Sequence, residues 1–172
     1  EDPLNARYAN PLVAAPTRPL PRHVAVIGAG SIGPDIGYYL KSALPAIELT
    51  LVDVAQAPVD AALKRLYDYA QKAVARGRMS ADESAAVMRG VRGTVDYDAI
   101  RGCDWVIEAA TENLELKRRI FADVEARVAA DAIVTSNTSS LPASRIFSEM
   151  RHPERATVTH FFAPAWRNPA VE

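Results

Sequence analysis

His23-Val24-Ala25-Val26-Ile27-Gly28-Ala29-Gly30-Ser31-Ile32-Gly33 decides how this chain folds. After His23, the run Val24-Ala25-Val26-Ile27 is apolar and rich in β-branching, which reads as a strand buried on both faces, as in a parallel sheet. The strand runs into Gly-x-Gly-x-x-Gly, and residues 31–44 then carry a helical spacing. Gly28 suits a tight turn, Gly30 lets a backbone approach a diphosphate, and Gly33 lets the helix pack closely on the strand. Backbone N–H groups across Gly28, Ala29, Gly30, Ser31, Ile32 and Gly33, with the positive end of the helix dipole, make an anion cradle. Pro34 falls in the first helical turn, where a missing N–H is tolerated.

A second apolar strand, 47–52, completes a β-α-β unit, and Asp53 ends it twenty residues after Gly33. An acid there accepts hydrogen bonds from the ribose hydroxyls of an adenosine and repels a 2′-phosphate. No arginine follows to compensate, so NAD is favoured over NADP. The glycine pattern alone is a weak signal; the strand before it, the helix after it, the β-α-β frame and the acid make it specific.

Outward from this unit, Val59, Leu63, Leu66, Ala70, Ala73 and Val74 recur at helical spacing, with Lys64, Arg65, Lys72 and Arg76 on the other faces. Gly77 is the expected stop, and Ser80-Ala81-Asp82-Glu83 opens a second helix with a capping box. These two helices read as a hairpin inserted after the second strand. Strands are then expected at 91–95, 105–110, 132–136 and 156–162, and helices at 113–129 and 141–150. The whole is an α/β fold: a Rossmann-type, doubly wound, mainly parallel sheet.

Residues 1–21 stand apart, with Pro3, Pro11, Pro16, Pro19 and Pro21 and no helical or strand period, and read as an arm or linker; 22–172 reads as the dinucleotide-binding domain. The 172 residues are 49% hydrophobic and 24% charged, ordinary for a globular domain. A net charge of −1 gives no electrostatic case for nucleic acid or an anionic membrane. The single cysteine, Cys103, forms no internal disulfide and fits a reducing, cytoplasmic setting. No basic-then-apolar leader is visible. His23, His152 and His160 are not at metal-ligand spacing with acids or Cys103, so no metal is expected.

Three further motifs carry a resemblance. Trp105-Val106-Ile107-Glu108-Ala109-Ala110-Thr111-Glu112-Asn113-Leu114-Glu115-Leu116-Lys117 resembles a segment of the L-3-hydroxyacyl-CoA dehydrogenase family. Ser136-Asn137-Thr138-Ser139-Ser140-Leu141 is identical to that family's serine loop. His160-Phe161-Phe162-Ala163-Pro164 is similar to its catalytic strand end, with Glu172 twelve residues on. The order of motifs runs from Val24 to Glu172. The resemblance implies NAD-dependent oxidation of an L-3-hydroxyacyl-CoA to the 3-ketoacyl-CoA, in fatty-acid β-oxidation or related metabolism. It implies His160 as general base, Glu172 as the acid that orients it, and Ser139 as a hydrogen-bond partner of the reacting hydroxyl or the nicotinamide carboxamide. Glu112 and Lys117 are implied to line the cofactor, and Ala109 to let the backbone approach it. For coenzyme A, Lys72 and Arg76 (with Arg78) are the candidate phosphate contacts beside Ser139. A solvated basic helix face is the competing reading.

Independently, Asn137, Thr138, Ser139 and Ser140 form a polar cluster at the carboxyl end of an apolar strand, where α/β sheets bind ligands. One of these serines is expected to cap the helix that follows. The chain departs from the family at Ala163, where asparagine is usual, at Tyr69, where serine is frequent, and in the bulkier Ala165-Trp166-Arg167-Asn168-Pro169. The family's C-terminal helical domain, which supplies a further asparagine and the homo-oligomer interface, has no counterpart in these residues, so slow turnover is expected of them alone. A dehydrogenase of a non-CoA hydroxy acid and a non-catalytic NAD-binding module are the rival readings.

Overall fold

The first strand, β1 (His23–Ile27), is followed by α1 (Gly33–Ala43), β2 (Glu48–Val52), α2 (Gln56–Ala75), α3 (Ala81–Met88) and β3 (Val91–Thr94). Then come β4 (Trp105–Glu108), α4 (Leu114–Glu125), β5 (Ile133–Ser136), α5 (Ala143–Ile146) and β6 (Ala156–Val158), with short 3-10 turns at Tyr97–Ile100 and Pro153–Arg155. This is a computed structural model, and it describes residues 18–168 and 170–172. Most of the proline-rich arm therefore lies outside the described residues. Its last part runs along the sheet, where the Arg18 guanidinium donates to the Asp131 carbonyl and the Arg22 N–H to the Asp104 carboxylate.

All six strands are parallel, in the order β3-β2-β1-β4-β5-β6. β1 pairs with both β2 and β4, so the chain reverses its direction of travel across the sheet there. A crevice opens at that switch, beyond the carboxyl ends of the strands. β1 alternates between two buried clusters: Val24 and Val26 meet Ile36, Leu49 and Leu66, while Ala25 and Ile27 meet Val106, Phe121 and Val134. Helices α1, α2 and α3 thus cover one face, and α4 and α5 cover the other. Fully burying an aliphatic or aromatic side chain of this size contributes about 1.5–3 kcal/mol, and β1 draws on both layers. The expected hairpin is α2 and α3, which ends α2 near Gly77 (φ +65°) and starts α3 with Ser80 and Glu83 in a reciprocal capping box.

Lys41, near the end of α1, is fully buried. Its ammonium donates to the carbonyls of Pro45 (2.6 Å), Ile47 (2.7 Å) and Arg89 (2.7 Å), so all three N–H groups are used. It ties the end of α1 to the starts of β2 and β3, and burial lowers its pKa from the usual lysine range.

Several expected boundaries are corrected. The strand expected at 105–110 ends at Glu108, because the Glu108 carboxylate accepts from the Ala110 N–H and turns the chain out of the sheet. The helix expected at 113–129 ends at Glu125, and the one expected at 141–150 shrinks to the single turn Ala143–Ile146. The strand expected at 156–162 stops at Val158, so His160 lies just beyond a strand rather than at its end. No helix among the described residues is long and apolar enough to cross a membrane.

Candidate functional site

The glycine loop leaves β1 at Gly28, whose φ of +108° only glycine adopts readily. A Cβ there would stand 2.5 Å from the Ala109 carbonyl, which is why the loop lies so close to the end of β4. At Gly33 a Cβ would fall 1.8 Å from the Gly28 carbonyl, so the first turn of α1 rests directly on the turn after β1. Around Gly30, by contrast, nothing lies within 4 Å of a built Cβ. That open space is where a diphosphate can reach the backbone. Helix α1 starts at Ile32 without a side-chain cap and with Pro34 in its first turn, leaving its first N–H groups for a ligand.

Alanine at Gly33 must push α1 off the strand turn. The expected result is a loss of NAD affinity of about 5- to 150-fold, the equivalent of about 1–3 kcal/mol of overpacking, read by titration calorimetry on the folded variant.

A cleft of about 470 Å³ runs from this loop to the ends of β2 and β4. Gly28, Gly30, Ser31, Ile32, Asp53, Ala109 and Glu112 all line it. Ala29 and Gly33 are buried behind it and shape the loop instead. Asp53 accepts from the Ala29 N–H (2.8 Å) and the Ala55 N–H (3.3 Å), which fixes its carboxylate at the cleft wall. The sequence did not point to Val54 or Tyr97, which also line the cleft; Val54 is 84% exposed beside Asp53. Burial, then the nearby Asp123, Asp53 and Glu108 carboxylates, raise the Tyr97 phenol above its usual pKa.

Behind the cleft lies a buried charged network. Lys117 is 1% exposed and Glu108 is fully buried, and they pair at 2.7 Å. The ammonium also lies 3.3 Å from Glu112. Lys117 therefore does not line the cleft as expected; it supports Glu112, which does. Glu112 accepts from Ser140 Oγ (2.9 Å) and from Thr138 Oγ1. Burial raises its pKa, but those hydrogen bonds and the Lys117 charge outweigh it, and the net shift is downward. Ser136 Oγ donates to the other Glu108 oxygen at 2.5 Å. The expected serine cap of the next helix is absent: Pro142 occupies the cap position, and Thr138 Oγ1 accepts from the Leu141 N–H instead.

Ser139, His160 and Glu172 meet in a second, shallow depression of about 330 Å³ beside the serine loop. The His160 N–H donates to the Glu172 carbonyl (2.7 Å) and the Glu172 N–H to the His160 carbonyl (3.1 Å). An antiparallel bridge between Phe161 and Val171 flanks this exchange. Side chain to side chain, His160 Nδ1 stands 4.0 Å from the Glu172 carboxylate. The Asn137 amide oxygen accepts from the Phe161 N–H (2.8 Å), tying the histidine segment to β5. Glu112 links the two hollows, lining the cleft and accepting from Ser140, which lines the depression.

Lys72 and Arg76 are exposed on the last turn of α2 and its cap, and line neither hollow. Tyr69 turns inward: its hydroxyl donates to Asp35 (3.0 Å) and its ring stacks on Trp166 (centroids 5.1 Å apart). The bulkier segment after His160 thus docks onto α2 through Trp166.

Residues 23–172 match the sequence profile of the 3-hydroxyacyl-CoA dehydrogenase NAD-binding domain. The chain belongs to that family. Among solved structures, 3-hydroxybutyryl-CoA dehydrogenase of Escherichia coli superposes with a TM-score of 0.81 at 31% identity, over 85% of this chain and 30% of the other. FadB2 of M. tuberculosis does so with a TM-score of 0.82 at 31% identity, over 88% and 53%. A 5-formyl-3-hydroxy-2-methylpyridine 4-carboxylic acid 5-dehydrogenase, an NAD+-dependent dismutase, gives 0.73 at 28% identity, over 88% and 48%. The chain therefore spans between 30% and 53% of the length of these relatives.

As a 3-hydroxyacyl-CoA dehydrogenase NAD-binding domain, the chain takes NAD as its cofactor. Its own geometry fits that group: the open space over Gly30, the uncapped start of α1 and the carboxylate of Asp53 form one continuous wall.

Proposed function

We propose that this domain is the cofactor-holding part of an enzyme that reversibly oxidises L-3-hydroxyacyl-CoA to 3-ketoacyl-CoA. The observation that carries the reading is the placement of His160, Ser139 and Glu172 in one depression, joined to the NAD cleft through Glu112. NAD supplies a hydride acceptor when bound. His160 takes the proton of the 3-hydroxyl as the C3–H bond gives up its electron pair and the C3–O double bond forms. Nδ1 faces Glu172, which orients the ring and leaves Nε2 for the substrate. The exposed Ser139 hydroxyl beside it holds the reacting oxygen or the nicotinamide carboxamide. Gly28, Ala29, Gly30, Ser31, Ile32 and Gly33 hold the diphosphate, Asp53 the adenosine ribose, and Ala109 and Glu112 the nicotinamide side. Lys117 acts through Glu112, and Lys72 and Arg76, exposed at the end of α2, are the candidate contacts for coenzyme A phosphates.

The reading places the protein in fatty-acid β-oxidation or related acyl-CoA metabolism, in the cytoplasm, as a homo-oligomer with further helical residues completing the site. Domain limits of 1–21 for the arm and 22–172 for the NAD-binding unit go with it. Inward-turned Tyr69 and the dismutase relative favour a second reading, a dehydrogenase of a non-CoA hydroxy acid. Comparing NADH-driven reduction of acetoacetyl-CoA with that of free acetoacetate separates the two. The thioester should be preferred by at least about tenfold in kcat/KM, a difference of about 1.4 kcal/mol in transition-state binding; parity or the reverse rejects the acyl-CoA assignment.

A further inference from the structure

Arg65 stands on α2, and nothing in the glycine motif calls for it. Its guanidinium nevertheless donates to the Ser31 carbonyl (2.8 Å), the Gly30 carbonyl (3.4 Å) and Asp35 Oδ1 (2.6 Å), while Nε donates to the Tyr69 hydroxyl (2.9 Å). Tyr69 passes a hydrogen bond on to Asp35, whose side chain is only 4% exposed. The cation is therefore locked in a triangle of partners, its ring neighbour Tyr69 in turn packed between Tyr38 and Trp166 (ring centroids 5.2 and 5.1 Å away).

We infer that Arg65 is a positioning residue for the cofactor loop: by gripping the Gly30 and Ser31 carbonyls it aims the N–H groups of Ser31 and Ile32 at the diphosphate. The reason is peptide planarity. In a trans peptide the C=O and the following N–H point in opposite directions. Anchoring the Gly30 carbonyl on α2 turns the Ser31 N–H away from α2, and anchoring the Ser31 carbonyl does the same for the Ile32 N–H. Ser31 and Ile32 are residues that line the cleft. Gly30 before Ser31 and Gly33 after Ile32 leave this loop intrinsically loose, so an outside clamp has something to hold. Asp35 cancels the charge of Arg65 at close range, so the effect on a phosphate ligand is one of geometry rather than of added positive charge. The inference rests on NAD lying along this loop.

Titration calorimetry of the 172-residue chain with NAD, ADP and adenosine tests it, with circular dichroism melting as the control for folding. Arg65→Met should weaken NAD and ADP by about tenfold or more, the worth of one or two hydrogen bonds to a charged group. Adenosine, which has no phosphate to meet those amides, should bind within about twofold of wild type. Arg65→Lys keeps the charge but lacks the planar fork that spans two carbonyls and a carboxylate, so it too should lose about fivefold for ADP. Should Arg65→Met fail to fold, Tyr69→Phe serves instead, because it removes only the hydroxyl that fixes Arg65 and should still weaken ADP without touching adenosine. ADP affinity within about twofold of wild type in the folded variants overturns the inference. So does a lysine variant equal to wild type, or an equal loss for adenosine. Wild-type protein that gives no heat with NAD would instead remove the cofactor assignment on which it rests.

Discussion

Lys117→Met should lower the unfolding free energy by about 3–5 kcal/mol, one of the largest losses any single side chain here can cause. The side chain is 1% exposed and its ammonium is the cation facing the fully buried Glu108 carboxylate at 2.7 Å. Methionine fills a similar volume, so packing changes little, but Glu108 is left charged in an apolar layer between β1 and β5. The Ala110 N–H and Ser136 hydroxyl still donate to it, and neither carries a charge. The combined Glu108→Gln, Lys117→Met variant removes both charges and should recover at least about half of the loss, because the penalty comes from an uncompensated ion rather than from a missing attraction. Urea unfolding followed at constant m-value measures it. A single-variant loss below about 1 kcal/mol would show that the pair is hydrated and not buried as described.

His160→Gln should lower kcat for hydride transfer by about 10²- to 10⁴-fold, the usual worth of a positioned general base, in the enzyme that contains this domain. NAD affinity should stay within about twofold of wild type, since His160 lines the depression with Ser139 and Glu172 and not the cofactor cleft. Glutamine keeps a hydrogen-bonding amide of similar reach but cannot take a proton at neutral pH. The split between rate and binding separates chemistry from collapse of the site. A domain that only binds NAD, without catalysis, predicts no change in any measurable property. Unaltered kcat in the glutamine variant would establish that alternative.

Both variants probe features that the sequence revealed unequally. The β-α-β frame was legible because its signals are local: a β-branched run, three glycines at fixed spacing and an acid at the next strand end. The hairpin of α2 and α3 was legible through its period and through the Ser80–Glu83 capping box. Chain ends of the elements were not, since they are decided by long-range hydrogen bonds such as that of Glu108 to the Ala110 N–H. The family resemblance implies a cofactor contact for Lys117 because a motif gives a residue's neighbourhood, not its depth; only the fold shows that Glu108 meets it first. Arg65 read as one of several solvated cations on a helix face, because the partners that single it out lie about thirty residues earlier in the chain. Asp35 beside Pro34 in the first helical turn was the available hint, since a buried acid there requires a cation from elsewhere.

The pairing of His160 with Glu172 through reciprocal main-chain contacts has an evolutionary corollary. The segment between them, which carries Ala163 and Trp166, forms a closed excursion whose two feet are pinned independently of its contents. Main-chain bonds do not depend on the side chains between them, so substitutions within that excursion can reshape its surface while the spacing of His160 and Glu172 is left alone. The sequence of the loop and the geometry of its two ends are thereby free to diverge separately.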